Sequence, residues 1–422
     1  MTLKKESNFY SMIKIKKTSG HLMSTITQLP STYIIFVFGL LISRIGDSLY
    51  TFSLPLIAYE LTGSAVIMSS LFAISVLPIV LFGPIVGVIV DRWDRRKLMW
   101  IADLLCVFFV TVIPVLHILG LLQLWHLYVV SFILAVLSML FDVATVTVIP
   151  HIASQSLTRA NSAYQMVLQI ASLVGPALAG IIIAIIGGFN ALWINVLSYI
   201  ATLIAVLMLP KFKKTKSVDG SGNLFQKIGR EMKEGFKWLM NDRLNLALSL
   251  QAMVGNFGAS AILGALMYYL LSTLHLTSEQ SGFNYTLIGV GGLVGSIIVV
   301  PLEKRFRRGI LIPALLGIGA IGLTYAIWSK FWLAPGIAFG IAMVCNIAWN
   351  IIVASVRQET VPIDMQGRVL GFSRVLTRLA MPLGALVGGV ISEYNPVAIF
   401  ILASATKFIE VIIALASPIR KL

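Results

Sequence analysis

Asp91-Arg92-Trp93-Asp94-Arg95-Arg96-Lys97 lies between two stretches too apolar for water. Residues 71–90 carry no charge, and residues 98–120 hold one Asp, Glu, Lys or Arg, Asp103, besides His117. A tight acidic-basic turn between two membrane-length helices belongs at a cytoplasmic surface. The rest of the chain has the same character. Charged residues are 12% and hydrophobic residues 58%, with mean hydropathy +0.92. Soluble domains carry about 25% charged residues, so that class is excluded. A helix needs about 20 apolar residues to span a bilayer. Twelve such stretches are present, from residues 33–57 to residues 396–416. The expected fold is an all-α membrane protein with twelve transmembrane helices in two six-helix bundles.

Net charge is +15, and its distribution argues against a nucleic-acid partner. Arg44 and Lys407 lie inside spans, and Lys330 falls in an odd-numbered loop. The other Lys and Arg occupy the terminal tails, the even-numbered loops or the first turns of the span beyond them. This bias puts both termini in the cytoplasm and the excess charge against anionic inner-leaflet lipid. Cys106 and Cys345 both fall in spans, so no disulfide framework is expected. The segment 1–30 lacks the apolar core of a cleaved signal peptide.

The expected organisation is a tail (1–32), a first bundle (33–210), a cytoplasmic linker (211–245), a second bundle (246–417) and a short tail (418–422). Within the linker Phe225, Ile228, Met232, Phe236 and Leu239 recur at helical spacing between basic residues. That pattern makes an amphipathic helix, lying either on the membrane surface or on the protein itself. The halves repeat at an offset of 212 residues. Gly83, Asp91, Arg92, Arg95 and Arg96 meet Gly295, Glu303, Lys304, Arg307 and Arg308.

The run from Gly87 to Lys97 resembles the loop between helices 2 and 3 of the major facilitator superfamily, except that Asp94 stands where glycine is usual. Gly175-Pro176-Ala177-Leu178-Ala179-Gly180 resembles a span-5 signature of its drug-proton antiporters. Residues 149–162 and 357–368 are similar to the macrolide-efflux and siderophore-export branch. The resemblance covers nearly 33–416. It implies alternating access by two bundles rocking about a midplane site. It assigns gating to Gly87, Asp91, Arg92, Arg95, Arg96, Gly175, Pro176 and Gly180. Gly87 would permit close helix approach, and Asp91 would accept hydrogen bonds from arginines or a helix N-terminus. Asp103 is expected to pair with the arginines of the loop.

Charges at bilayer depth are costly and usually functional. Arg44 and Asp47, three residues apart in span 1, share a helix face and can pair. Asp142 in span 4 has no basic residue within a turn, so it is the expected proton carrier, with Arg44 and Asp47 as an orienting pair. A reach of Arg44 to Asp142 would reverse those roles. Lys407 and Glu410 read as a structural pair in a peripheral helix. Asn256, Tyr268, Asn346, Trp349 and Asn350 are candidates for the second wall of the cavity, since amides and aromatic faces suit large, partly apolar ligands. The glycine pattern at 317–322 lies in span 9 with no strand before it, so it is no dinucleotide site. No metal-ligand cluster, cofactor motif or nucleophile-base pair is apparent. The expectation is a monomeric, proton-coupled exporter of small amphipathic molecules in the plasma membrane of a bacterium, and not an enzyme. A siderophore or other metabolite exporter is the alternative.

Overall fold

The computed structural model describes residues 29–153, 156–210 and 224–422. The side chains of 84, 88, 91, 92 and 224–228 lie outside that description. Asp91 and Arg92, and with them the central part of the expected latch, therefore fall outside the described side chains, as do Phe225 and Ile228.

Among the described residues, twelve helices are long and apolar enough to cross a membrane. In the first half they are α1 (Ser31–Thr62), α2 (Ala65–Arg92), α3 (Arg95–Ile118), α4 (Leu124–Ile152), α5 (Leu157–Ile186) and α6 (Gly188–Leu207). A connecting helix, Leu224–Asn241, follows. The second half has α7 (Arg243–Tyr268), α8 (Ser278–Arg305), α9 (Arg308–Trp328), α10 (Ala334–Thr360), α11 (Gln366–Tyr394) and α12 (Ala398–Ala416). The helix ends follow local chemistry. Asp94 caps α3 by accepting from the Lys97 N–H at 3.1 Å, which accounts for an acid where the resembling loop has glycine. Thr277 and Gln280 form a capping box on α8. Gly63 ends α1 at φ +64°, a left-handed conformation that glycine adopts without penalty.

The two halves pack by one plan. In the first, α1 packs on α5 and α6, α3 on α4 and α6, and α2 on α4. Adding six to each number gives the main pairings of the second half: α7 on α11 and α12, α9 on α10 and α12, α8 on α10. The internal repeat is thus a repeat of packing as well as of charge. The bundles meet through two equivalent seams, α2 with α11 and α5 with α8, and through α2 with α7.

Both seams close at the end opposite the termini. There Gly180 of α5 faces Gly282 of α8. A Cβ on Gly180 would stand 2.6 Å from the Ser278 carbonyl oxygen. A Cβ on Gly389 near the end of α11 would stand 2.6 Å from Ser69 of α2. Glu393 of α11 sits on the N-terminus of α2, accepting from the Ser64 hydroxyl and, at 3.2 Å, from the Val66 N–H. At the terminal end the α2–α11 seam parts. Gly83 and Gly87 in α2 and Gly367 and Gly371 in α11 have no neighbour within 4 Å of an added Cβ. The expectation that Gly87 mediates close helix approach therefore fails in this conformation, because α2 borders open space there. Its repeat partner region behaves otherwise: Gly291 and Gly295 bring α8 against the backbone of α10 at Gly340 and Val344.

The connecting helix packs on the protein, which decides between its two expected placements. Leu239 is fully buried with Val361 and Val369. Phe236 meets Phe372 edge-on at 5.4 Å, and Glu234 pairs with Arg368 at 2.8 Å.

Candidate functional site

The parted seam leaves two adjoining pockets of about 530 Å³ each, within the range of small-molecule sites. The first lies between α2 and α4 on one side and α11 and the connecting helix on the other. The second lies within the second bundle, among α7, α10, α11 and α12. Arg374 and Arg378 of α11 border both.

Asp142 faces the first pocket. It is not isolated. The Arg44 guanidinium crosses from α1 and bonds it directly, while also holding Asp47 at 3.3 Å. Asp47 in turn accepts from the Tyr199 hydroxyl of α6 at 2.7 Å. The alternative reading, a reach of Arg44 to Asp142, is the one the structure has, although the two residues lie 98 apart in the chain. Arg44 keeps Asp47 as well, so the two carboxylates share the cation rather than exchange roles. One cation thus serves two carboxylates on two helices, and Asp142 is the member at the pocket edge.

Asp103 departs from expectation in the opposite way. Among the described residues it has no ion pair. It is buried in α3 at 3% exposure, and its Oδ2 has no hydrogen-bond partner. It lies eight residues into α3, about 12 Å along the axis from Arg95, too deep for the loop arginines to reach. Those arginines bind elsewhere. Arg95 hydrogen-bonds His151 at 3.0 Å, and Arg96 donates to the carbonyls of Val206 and Leu207 at the end of α6. A cation at a helix C-terminus meets unsatisfied carbonyls and the negative end of the helix dipole. The repeat of this loop is complete in the second bundle. Arg308 Nε meets Glu303 Oε1 at 2.5 Å, and its two terminal nitrogens grip Glu359 at 2.6 and 3.0 Å.

Of the candidates for the second wall, Asn256, Asn346, Trp349 and Asn350 line the second pocket. Tyr268 does not. It packs edge-on against Tyr59 of α1 at 6.0 Å, near the closed end. Gly175 packs against Ser48 of α1, within one bundle, whereas Gly180 and the Pro176 carbonyl meet Gly282 across the seam. Lys407 and Glu410 pair at 2.9 Å, both almost wholly buried. Their helix is less peripheral than expected: Glu410 packs on Gly255 of α7, and its edge reaches the second pocket. Gln251 ties this corner together, donating to the Glu410 carbonyl at 2.8 Å and accepting from the Trp349 indole at 3.3 Å. Sequence reasoning missed Arg357, Arg374 and Arg378 as wall residues. The only signal for the last two was their four-residue spacing on one helix face.

The pseudo-symmetric bundles, the paired seams and a charged pocket between them form one arrangement. A family model described as "transmembrane secretion effector" matches residues 31–422. The chain belongs to that family of major facilitators. The family member is a multi-pass membrane protein. Its relatives include an uncharacterised MFS-type transporter of Bacillus subtilis, 27% identical over 88% of this chain and 89% of that one. Macrolide efflux protein A of Streptococcus pyogenes is 26% identical over 91% and 95%. The multidrug efflux pump Tap of Mycolicibacterium fortuitum is 24% identical over 85% and 89%. Among solved structures, a bacterial homologue of the iron transporter ferroportin in an inward-facing state superposes with TM-score 0.71 at 16% identity, covering 91% of this chain and 98% of that one. A nucleoside transporter gives TM-score 0.71 at 12% identity, over 92% and 99%. At such identities the likeness is one of fold.

Proposed function

We propose that this major facilitator exports small amphipathic molecules in exchange for protons, by alternating access. Both termini face the cytoplasm, and the conformation described is open to it. The even-loop bias of Lys and Arg supports that sidedness, and the relatives named as efflux proteins support the direction. In the opposite conformation α2 and α11 approach at the terminal end, and Gly83, Gly87, Gly367 and Gly371, free here, supply the room. Asp91 and its neighbours then act as the latch.

The observation that carries the coupling is the sharing of Arg44 between Asp47 and Asp142. A proton on Asp142 weakens one of the two ion pairs and leaves Arg44 to Asp47, which also accepts from the Tyr199 hydroxyl. Loading the pocket-facing carboxylate with a proton therefore changes the wall that substrate meets, which is the differential affinity coupled exchange requires. Asp103 is a second candidate carrier, because an ionised carboxylate buried without partners is costly and a proton removes the charge.

The test is transport by purified protein in sealed vesicles with and without an imposed acid gradient, using an uncharged, a cationic and an anionic amphipathic dye in turn as cargo. Wild type is expected to accelerate with the gradient, and Asp142→Asn to bind cargo but ignore the gradient. Gradient-driven transport at the wild-type rate by Asp142→Asn removes the assignment. If Asp103→Asn alone uncouples, the carrier is Asp103.

A further inference from the structure

Three guanidinium groups in the pocket walls have no place in the coupling network. Arg357 comes from the last turns of α10. Arg374 and Arg378 come from α11, four residues apart and so on one face. All three line the second pocket, and Arg374 and Arg378 also border the first. The charge of Arg374 acts on both of the others, so it repels each of them. Arg357 donates to the neutral Ser249 hydroxyl at 3.1 Å. Among the described residues none of the three has a carboxylate within ion-pairing distance. The neighbouring acids are otherwise engaged: Asp142 with Arg44, Glu410 with Lys407, Glu234 with Arg368. Glu231 at the rim of the first pocket makes no ion pair with them either.

Clustered, unneutralised guanidiniums within the membrane-spanning part of a protein are expensive. Orientation of the protein does not need them there, since loop and tail residues already supply that bias. Arginine is the side chain suited to gripping a carboxylate, sulfonate or phosphate with paired hydrogen bonds. The same pocket offers Trp349 and Val353 for an apolar body, and Asn256 and Asn350 for polar substituents.

We propose that Arg357, Arg374 and Arg378 form a receptor for the anionic group of an amphipathic ligand, so that the cavity selects amphipathic anions. This rests on the reading of the cavity as the transport site. A soluble organic acid and a lipid headgroup share the chemistry, and the experiment separates them.

Purified full-length protein in discs of zwitterionic lipid, at neutral pH and with no gradient, is titrated with anilinonaphthalene sulfonate. A parallel titration uses phenylnaphthylamine, which has the same aromatic body without the sulfonate. Empty discs provide the blank. Wild type is expected to bind the sulfonate about tenfold or more tightly than the amine, the scale of charge-assisted hydrogen bonds. Arg374→Gln with Arg378→Gln is expected to erase that preference while amine binding and melting temperature stay unchanged. Lysine at both positions restores part of it. Arg420→Gln, in the 3₁₀ segment after α12, serves as a control and changes nothing. Adding phosphatidylglycerol to the discs separates the sources. A loss of sulfonate affinity seen in wild type but absent from the double variant assigns the receptor to lipid headgroups, and an unchanged affinity assigns it to soluble anions. Equal binding of the two dyes by wild type, or a sulfonate preference that survives in the double variant, overturns the proposal. Gradient-driven export without a sulfonate preference leaves the transport reading standing and removes this one. A sulfonate preference without transport does the reverse.

Discussion

Replacing Gly180 by alanine is expected to open the closed end. The added Cβ would stand 2.6 Å from the Ser278 carbonyl oxygen, 3.0 Å from the Gly282 Cα and 3.2 Å from the Glu279 Cα. All three are backbone atoms in the opening turns of α8, so no side-chain rotation relieves the overlap. Overpacking of this kind costs about 1–3 kcal/mol. Because α5 and α8 belong to different bundles, the cost falls on the conformation in which they touch and vanishes when they separate. The balance between the two conformations therefore moves by about 5–150-fold. Gly87→Ala is the internal control, since nothing lies within 4 Å of its Cβ and the present conformation bears no added cost. The assay is labelling by a membrane-impermeant maleimide, applied from outside, of a cysteine placed at the pocket residue Asn346, near the middle of α10. The native Cys106 and Cys345 are each 3% exposed and give little background. With Gly180→Ala, labelling should rise by a factor in that range, while Gly87→Ala should give no rise. Labelling that is unchanged by Gly180→Ala, or raised equally by both, would refute the seam as the gate.

Other perturbations test the remaining parts. Arg44→Gln leaves Asp47 and Asp142 without their cation. Removing one partner of a buried pair costs up to about 3–5 kcal/mol, discounted here because Asp142 is 46% exposed. Transport should be lost and the melting temperature lowered, and vesicle transport at the wild-type rate would contradict the network. Leu239→Ala empties a fully buried site and should cost about 2–5 kcal/mol, read as faster proteolysis within the connecting helix. Glu393→Gln weakens the carboxylate cap on α2 and should shift maleimide labelling in the same direction as Gly180→Ala, by less.

The spans were legible because twelve apolar runs leave little choice of register at the scale of whole helices. The bundle repeat was legible because its marks, Asp91 with Arg95-Arg96 and Glu303 with Arg307-Arg308, sit in loops where charge is cheap. Within the site, Asn256, Asn346, Trp349 and Asn350 of α7 and α10 line one pocket. What failed was phase and partnership. Tyr268 is on the face of α7 that meets Tyr59 rather than the pocket, and a sequence does not say which face looks inward. Two readings of Asp142 stayed open because ion pairs between helices leave no local trace. Arg374 and Arg378 were counted with the orienting charges. Depth along α11 is readable to within a few turns, but the direction in which the guanidiniums point is not.

The arginine-lined wall also bears on voltage. In the proposed orientation, with the cavity open to the cytoplasm, Arg374 and Arg378 face the negative side of a bacterial membrane potential. In the proposed exchange, reversing access shifts part of the potential drop across these two, while Arg357 in the last turns of α10 stays at the terminal end. Each uncompensated charge carried across that drop costs about 2.3 kcal/mol per 100 mV. An empty carrier is therefore held facing inward by the cell's own electric field. An anion seated on the guanidiniums cancels part of that restraint, so cargo itself unlocks the outward swing.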